Sequence, residues 1–484
     1  MTSNVVSTGL KKNRKLKNDK MKKSILILCV LLMAAIPSAC TESHKTPPEL
    51  DKPQPGPNPD PKPEPSKGKE KMLWFDAEAN FQRFSTQAGI IAMLDKTQEA
   101  GFNKIVVDVK PVEGDVLYKS EFMTQATTIG SVNVADRGWD YLQFFLDEAH
   151  KRNLKVTVST TVFPMGMPST RQGPAYRGTT WKGKTCMQYK PEGMVDIKDD
   201  PTKVAAFLNP VLPEVQEFAL RFIREIVTNY DFDAYALDYC RFPDYQSDFS
   251  EASKEAFEKY IGGLVETWPG DVFTYNASGE RVPGKYYKEW WEFRSMIIHD
   301  FVARVRKEIK AIKPDVKLEY WAASWWGALY ANGQNWASKA FRPLTDQDAW
   351  SFNSWCSINY HQTGFADQLD TFLLGTYLPR VYGPDDGESI EYGINRAERF
   401  LLNASVRETR NLVKLEGSLS AEELREYLMR DERKEFIGEG CMFLFYKRLF
   451  ASIYVKQGVV IAPLDANFVF PIPDAEYEYS PNEK

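Results

Sequence analysis

From Met72 onward, short apolar runs alternate with longer amphipathic stretches, and that alternation narrows the fold more than any other feature of the chain. Lys104-Ile105-Val106-Val107-Asp108-Val109-Lys110 is β-branched and nearly continuous. Such a run predicts a strand buried on both faces, as in a parallel sheet covered by helices. The same reasoning predicts strands at Leu73–Phe75, Leu154–Thr161, Phe232–Asp238, Val316–Ala323, Phe372–Tyr377, Leu412–Glu416 and Cys441–Tyr446. Helical spacing fills the intervals at 86–100, 138–153, 213–229, 251–264, 285–312, 391–402, 420–434 and 448–456, with Gly101 as a stop and Pro213 as a first-turn residue. Eight strand–helix units within residues 72–460 predict one α/β domain, a (β/α)8 TIM-type barrel with long βα loops, followed by a tail over 461–484. The competing architecture is an open doubly wound sheet; against it, no Gly-rich phosphate loop follows the first strand.

The first 71 residues do not belong to that pattern. Met21-Lys22-Lys23, an apolar run from Ile25 to Ile36 and Pro37-Ser38-Ala39-Cys40 read as a signal peptide over 1–40. The run is short for a membrane-spanning helix. Small residues directly before Cys40 resemble a bacterial lipobox, in which that cysteine is acylated, although Pro37 stands where such boxes carry an aliphatic residue. Residues 41–71 then form a disordered tether, with nine prolines between 47 and 65. These features predict a lipid-anchored protein of the bacterial cell envelope.

Charge and cysteine usage exclude several function classes. A net charge of -5, from 61 basic and 66 acidic side chains, gives no basic face for nucleic acid. Cys186, Cys240, Cys356 and Cys441 are widely separated, and only four histidines are present, so no zinc-type cluster is expected. One or two disulfides remain open. We expect a monomer with no metal and no cofactor.

In a barrel of this kind, reactive groups gather at the C-terminal strand ends. Asp238 closes the fourth strand and precedes Arg241 by three residues. An adjacent arginine would lower its pKa and keep it ionised, as suits a nucleophile or charge stabiliser; a structural Asp–Arg pair fits equally well. The partner carboxyl is Glu416, at the end of the seventh strand, or Glu319, which lies in mid-strand and also reads as a buried polar residue of the barrel layers. Two carboxyls flanking a bond are what glycoside hydrolysis requires. Asp108, Lys110, Asn209, Tyr239, Tyr377 and Tyr446 are candidates to bind sugar hydroxyls. Trp325, Trp326 and Trp336 cluster in one loop, where they form either a stacking platform or packing. Residues 162–208 read as a long, structureless loop of the kind that is usually functional.

Phe207-Leu208-Asn209-Pro210-Val211-Leu212-Pro213-Glu214-Val215 and Leu237-Asp238-Tyr239-Cys240-Arg241-Phe242-Pro243 resemble blocks of the glycosyl hydrolase-like family 10. Asp108-Val109-Lys110-Pro111 and the Gly114–Ser120 segment resemble the stretch after that family's second strand. The likeness covers roughly residues 72–460. It implies a barrel related to alpha-amylases, with Asp238 at the nucleophile position. The strand-five acid of amylases does not carry over, because Glu319 lies too early in its strand. The implied function is a glycosidase acting on a poly- or oligosaccharide outside the inner membrane. A carbohydrate-binding lipoprotein without catalysis, or an envelope structural protein, would use the same scaffold.

Overall fold

The structure is a computed structural model that describes residues 71–134, 137–377, 383, 385–401, 442–446, 449–456 and 459–460. The signal peptide, Cys40, the tether, Leu412–Glu416, the helix expected at 420–434 and the tail lie outside the described residues.

Six parallel strands form where continuous apolar runs occur: β1 (Lys71–Phe75), β2 (Lys104–Lys110), β3 (Lys155–Thr161), β4 (Ala234–Asp238), β5 (Lys317–Ala323) and β6 (Thr371–Gly375). Helices α1 (Gln87–Glu99), α2 (Tyr141–Lys151), α3 (Pro213–Asn229), α4 (Glu251–Ile261), α5 (Tyr287–Ile312) and α6 (Ile390–Phe400) follow. Pro213 occupies the first turn of α3, where its missing N–H costs nothing. That helix buries Val215, Ala219, Phe222, Ile223 and Ile226 on one face, so burial rather than intrinsic propensity holds it.

The last two strands depart from expectation. β7 (Met442–Tyr446) runs antiparallel to β1, pairing Trp74 with Met442 and Lys71 with Phe445. Residues 449–456, expected as helix, are strand β8 (Leu449–Lys456), antiparallel to β7 and parallel to β6. The sheet order 6-5-4-3-2-1-7-8, with β8 also paired to β6, closes the sheet on itself. The (β/α)8 reading therefore holds for six parallel strands, and an antiparallel hairpin completes the ring. The apolar spacing of Leu449-Phe450-Ala451-Ser452-Ile453-Tyr454-Val455 suits either structure. Two open sheet edges decide it, since β8 satisfies the backbone groups of both neighbours.

Alternation within the strands sorts the interior into levels. Met72, Trp74, Val106, Ala236 and Leu373 pack together inside the ring, against Trp321. Below them Lys104 Nζ pairs with Glu319 Oε1 at 2.7 Å, and Thr157 Oγ1 donates to Glu319 Oε2 at 2.9 Å. Above them Asp108, Asp238, Thr161 and Ala323 face a cavity at the C-terminal strand ends. Outside the ring, Leu73, Phe75, Ile105, Val107, Val156 and Val158 belong to the larger core that the helices cover.

Residues 162–208 are not structureless. They carry a hairpin of Met187–Lys190 with Gly193–Asp196, and bury Phe163, Met165, Cys186 and Phe207. Gly173, at φ 99°, lets this segment press on the β2 loop: a Cβ there would stand 2.1 Å from the Glu113 carbonyl oxygen. Cys186, Cys240 and Cys356 are buried free thiols, so no disulfide forms among the described cysteines.

Candidate active site

The cavity at the C-terminal strand ends has a volume of about 340 Å³, near the lower bound of typical ligand pockets. Each parallel strand or its following loop contributes to it. Asp238, the last residue of β4, is there, as are Asp108, Tyr239, Arg241, Trp325 and Tyr377. Three further groups come from β1 and its loop: Trp74, Asp76 and Glu78. Sequence reasoning missed them, although Phe75-Asp76-Ala77-Glu78 places two acids directly after a strand. Trp321, Asn332 and Gln334 were also missed.

Asp238 is held by its own neighbour. Tyr239 adopts a left-handed backbone, φ 46°, which points its N–H back at Asp238 Oδ1 at 2.7 Å. A non-glycine residue in that conformation stores about 1–3 kcal/mol of strain, a common feature of functional turns. The expected Asp238–Arg241 pair does not form within 4.0 Å. Arg241 Nη1 instead donates to the carbonyl oxygens of Phe242 at 3.2 Å and Pro243 at 2.9 Å, and its guanidinium lies 4.8 Å from the Tyr239 ring. Burial therefore prevails over charge pairing. It pushes the Asp238 carboxyl up to about 7, against the opposing pull of the Tyr239 N–H and of Arg241. This corrects the expectation of a carboxylate kept low by arginine.

The other acids are held differently. Asp108 accepts from Trp74 Nε1 at 2.8 Å and from the Ala77 N–H at 3.3 Å, so both its oxygens are engaged. Asp76 Oδ1 caps the turn Ala77–Asn80 through the N–H groups of Glu78 and Ala79. Glu78 Oε1 accepts from the Val112 N–H at 2.8 Å, which fixes the β1 loop to the β2 loop. Glu78 Oε2 and Asp238 Oδ2 have no hydrogen-bond partner among the described residues. Burial raises Asp76 and Asp108; for Asp108 the charges of Asp76 and Asp238 add to it. Loss of surrounding water also raises Glu78 well above the carboxylate range, and Asp76, Glu113 and Asp108 push further. Because the Glu78 side chain is open to the cleft, the neighbouring charges are the firmer cause.

Several expected site residues do other work. Glu319 is fully buried in its pair with Lys104, below the cavity, and cannot donate a proton to a ligand there. Lys110 is also fully buried; its Nζ donates to the Thr161 oxygen at 2.6 Å and the Pro164 oxygen at 2.7 Å, tying down the start of the β3 loop. Burial lowers its pKa to about 7. Asn209 Nδ2 donates to Asp248 Oδ2 at 2.7 Å within a buried polar knot with Ser250 and Ser253. Trp326 is wholly buried, with Nε1 on Asn335 Oδ1 at 3.0 Å, and Trp336 is buried with Nε1 on the Ala323 oxygen at 3.0 Å. Both are packing; only Trp325, 40 % exposed, faces the cavity. Tyr446 ends the antiparallel β7, one residue beyond the Phe445 that pairs with the first residue of β1, so its backbone lies at the opposite end of the barrel from Asp238. Glu416 lies outside the described residues.

The chain is similar to an S-layer-related protein of Niallia circulans, 29 % identical over 324 residues, which is 64 % of this chain and 20 % of that protein. It is 25 % identical over 329 residues to the glycosyl hydrolase DigH of Escherichia coli O6:H1, covering 64 % of this chain and 67 % of DigH. It is 25 % identical over 242 residues to the glycosyl hydrolase YngK of Bacillus subtilis, covering 47 % of this chain and 38 % of YngK. The matched segment thus spans only a fifth of the first relative and about two thirds of the second. The family model described as Glycosyl hydrolase-like 10 matches residues 72–351, which include β1 to β5 and every acid of the cavity. With more than half of its length under that model, the chain belongs to the glycosyl hydrolase-like 10 family.

Proposed function

We propose that the protein is a glycoside hydrolase that cleaves a poly- or oligosaccharide with Glu78 as proton donor and Asp238 as the carboxylate at the anomeric carbon. The observation that carries this is the pair of carboxyl oxygens, Glu78 Oε2 and Asp238 Oδ2, left unengaged in one aromatic-lined cavity. Glycoside hydrolysis needs one carboxyl that keeps its proton and a second that loses it. Crowding by Asp76, Glu113 and Asp108 favours protonated Glu78, which gives its proton to the departing oxygen. Asp238, up at about 7, is ionised in an appreciable fraction at neutral pH, and its negative charge attacks, activates water or stabilises the developing cation. Trp325 and Tyr377 offer ring faces for sugar C–H surfaces.

The test is release of reducing ends from a panel of glycans by the full chain. Asp238→Asn and Glu78→Gln should each lower kcat by about 10³-fold or more while leaving the circular dichroism unchanged. Normal turnover by Asp238→Asn, or a wild-type chain inert on every glycan, would overturn the proposal.

A further inference from the structure

We propose that the sugar unit cut in this cavity rests on the Trp321 indole, and that the absent side chain of Gly375 sets how deep that unit sits. This deepens the glycosidase reading of the same cavity and rests on it.

The sheet puts Trp321 next to the acid. The register pairs Tyr320 with Leu237, which sets Trp321 beside Asp238 on the adjacent strand. Thr161 pairs with Asp238 from the other side. All three line the cavity. The Trp321 ring also packs against the inner apolar cluster of Met72, Trp74, Val106, Ala236 and Leu373. It is therefore the surface between that cluster and the cavity, and a sugar whose anomeric carbon meets Asp238 has this ring beside it. Flat sugar C–H faces pack on such a ring. The other two tryptophans of the cavity are placed differently. Trp74 spends its Nε1 on Asp108 Oδ1, and Trp325, 40 % exposed, lies beyond the end of β5.

Gly375 accounts for where the ring lies. It ends β6 in an extended conformation that any residue adopts, so the backbone does not call for glycine there. The neighbouring ring does, since a glycine in a strand marks a close approach. Trp321 pairs with Leu373, and its indole reaches Gly375, two residues further along β6. A Cβ on Gly375 would stand 2.7 Å from Trp321 Cζ2 and 3.1 Å from Cε2, inside van der Waals contact. Trp321 Nε1 is buried without a hydrogen-bond partner among the described residues, so packing rather than hydrogen bonding holds the ring. The Tyr377 ring leans on it at 5.7 Å. A ring held by packing shifts when its neighbour grows. The inner cluster lies on one side and Tyr377 on another, so the space left to it is the cavity. A methyl group at position 375 therefore raises the floor into the volume that the sugar takes.

The test measures binding without turnover, in the full chain carrying Glu78→Gln. Cellotetraose, maltotetraose and the N-acetylglucosamine tetramer are titrated by calorimetry, and the tightest of the three serves as the probe. Gly375→Ala should weaken its binding at least about tenfold. In a Trp321→Phe background, whose smaller ring lacks the Cζ2 edge, the same substitution should cost less than about threefold. General damage to β6 would not produce that difference. Equal losses in both backgrounds, or no loss in either, overturn the inference, as does binding of none of the three tetramers. If Gly375→Ala melts early, Trp321→Leu carries the test. It keeps an apolar group on the inner cluster, removes the flat face, and should weaken binding at least about tenfold; unchanged binding overturns the inference. The two readings fail separately. The predicted coupling with no glycan cut by the wild-type chain would sink hydrolysis and leave Trp321 as the floor of a binding site. Turnover that Asp238→Asn abolishes and Trp321→Leu leaves untouched would do the reverse.

Discussion

Glu319 and Asp238 stand on neighbouring strands and both face into the ring, yet they live in opposite conditions. The register sets Glu319 beside Ala236, one inward step below Asp238. At that lower level Glu319 meets Lys104 and Thr157, has its bonds satisfied and sees no cavity. One step up, Asp238 accepts among the described residues only its neighbour's N–H, and it faces an open space shared with Asp76, Glu78 and Asp108. A step of two residues thus separates a carboxylate spent on holding the barrel from one left free for chemistry. Strand alternation makes both point inward; level along the barrel axis decides which can act.

Substitutions can break that comparison. The largest stability effect is expected for Glu319→Gln, which removes the carboxylate that pairs with the buried Lys104 ammonium and should cost about 3–5 kcal/mol in chemical denaturation. Turnover per folded molecule should stay near normal. Pairing Glu319→Leu with Lys104→Met should restore most of the loss, because the ions are replaced together. A Glu319→Gln variant that is stable but inactive would show that the lower level takes part in chemistry.

Asp238→Asn should act in the opposite direction on stability. The folded pKa of Asp238, about 7, lies above the unfolded value of about 3.9. The folded state therefore holds the proton more tightly. Its contribution is fully present below pH ~4 and is lost as pH rises to about 7. Asparagine does not titrate, so the variant should gain on wild type across that window and keep the gain at pH 8. The shift sets a ceiling of about 4 kcal/mol, reduced by solvent in the cleft. Melting curves at pH 4.5 and 8 measure it; a variant less stable at pH 8 would mean that Asp238 is a structural anchor after all. In the active enzyme the same titration predicts a kcat/KM that falls about tenfold per pH unit below about 7, as the carboxylate is lost.

The smallest effect separates the two adjacent tryptophans. Trp325→Ala should raise KM by about tenfold or less, with the melting temperature unchanged, since the ring is exposed on the cavity wall. Trp326, buried between Phe341, Phe352, Trp355 and Phe400, should instead cost stability when truncated. Identical behaviour of the two variants would remove Trp325 from the site.

These contrasts show where sequence was sufficient. The parallel strands were legible because continuous β-branched runs have few alternatives, and Asp238 because it ends such a run. Lys110 and Asn209 misled because their partners, the Pro164 carbonyl and Asp248, are far away in sequence. Trp325 and Trp326 differ by one position, and composition cannot say which faces inward. β8 read as a helix because its apolar spacing suits both structures, and only the open edges of β6 and β7 make the choice. Asp76 and Glu78 are readable in principle, as acids directly after a strand, but the apolar run before them is short and marks its end weakly.

The closing hairpin also bears on how the molecule comes to be folded. β1 finds its second partner in β7, nearly the whole length of the domain away. Such pairing is entropically late, because the loop it closes is long. During synthesis β1 emerges early and keeps one edge unpaired until Met442 and the residues after it have been made. That edge invites association with other chains in the interval. β1 also leads directly into Asp76 and Glu78, so the cleft would take its final form only when the last strands are seated. Competence for chemistry would then be a late event in the life of each chain, coincident with closure of the ring.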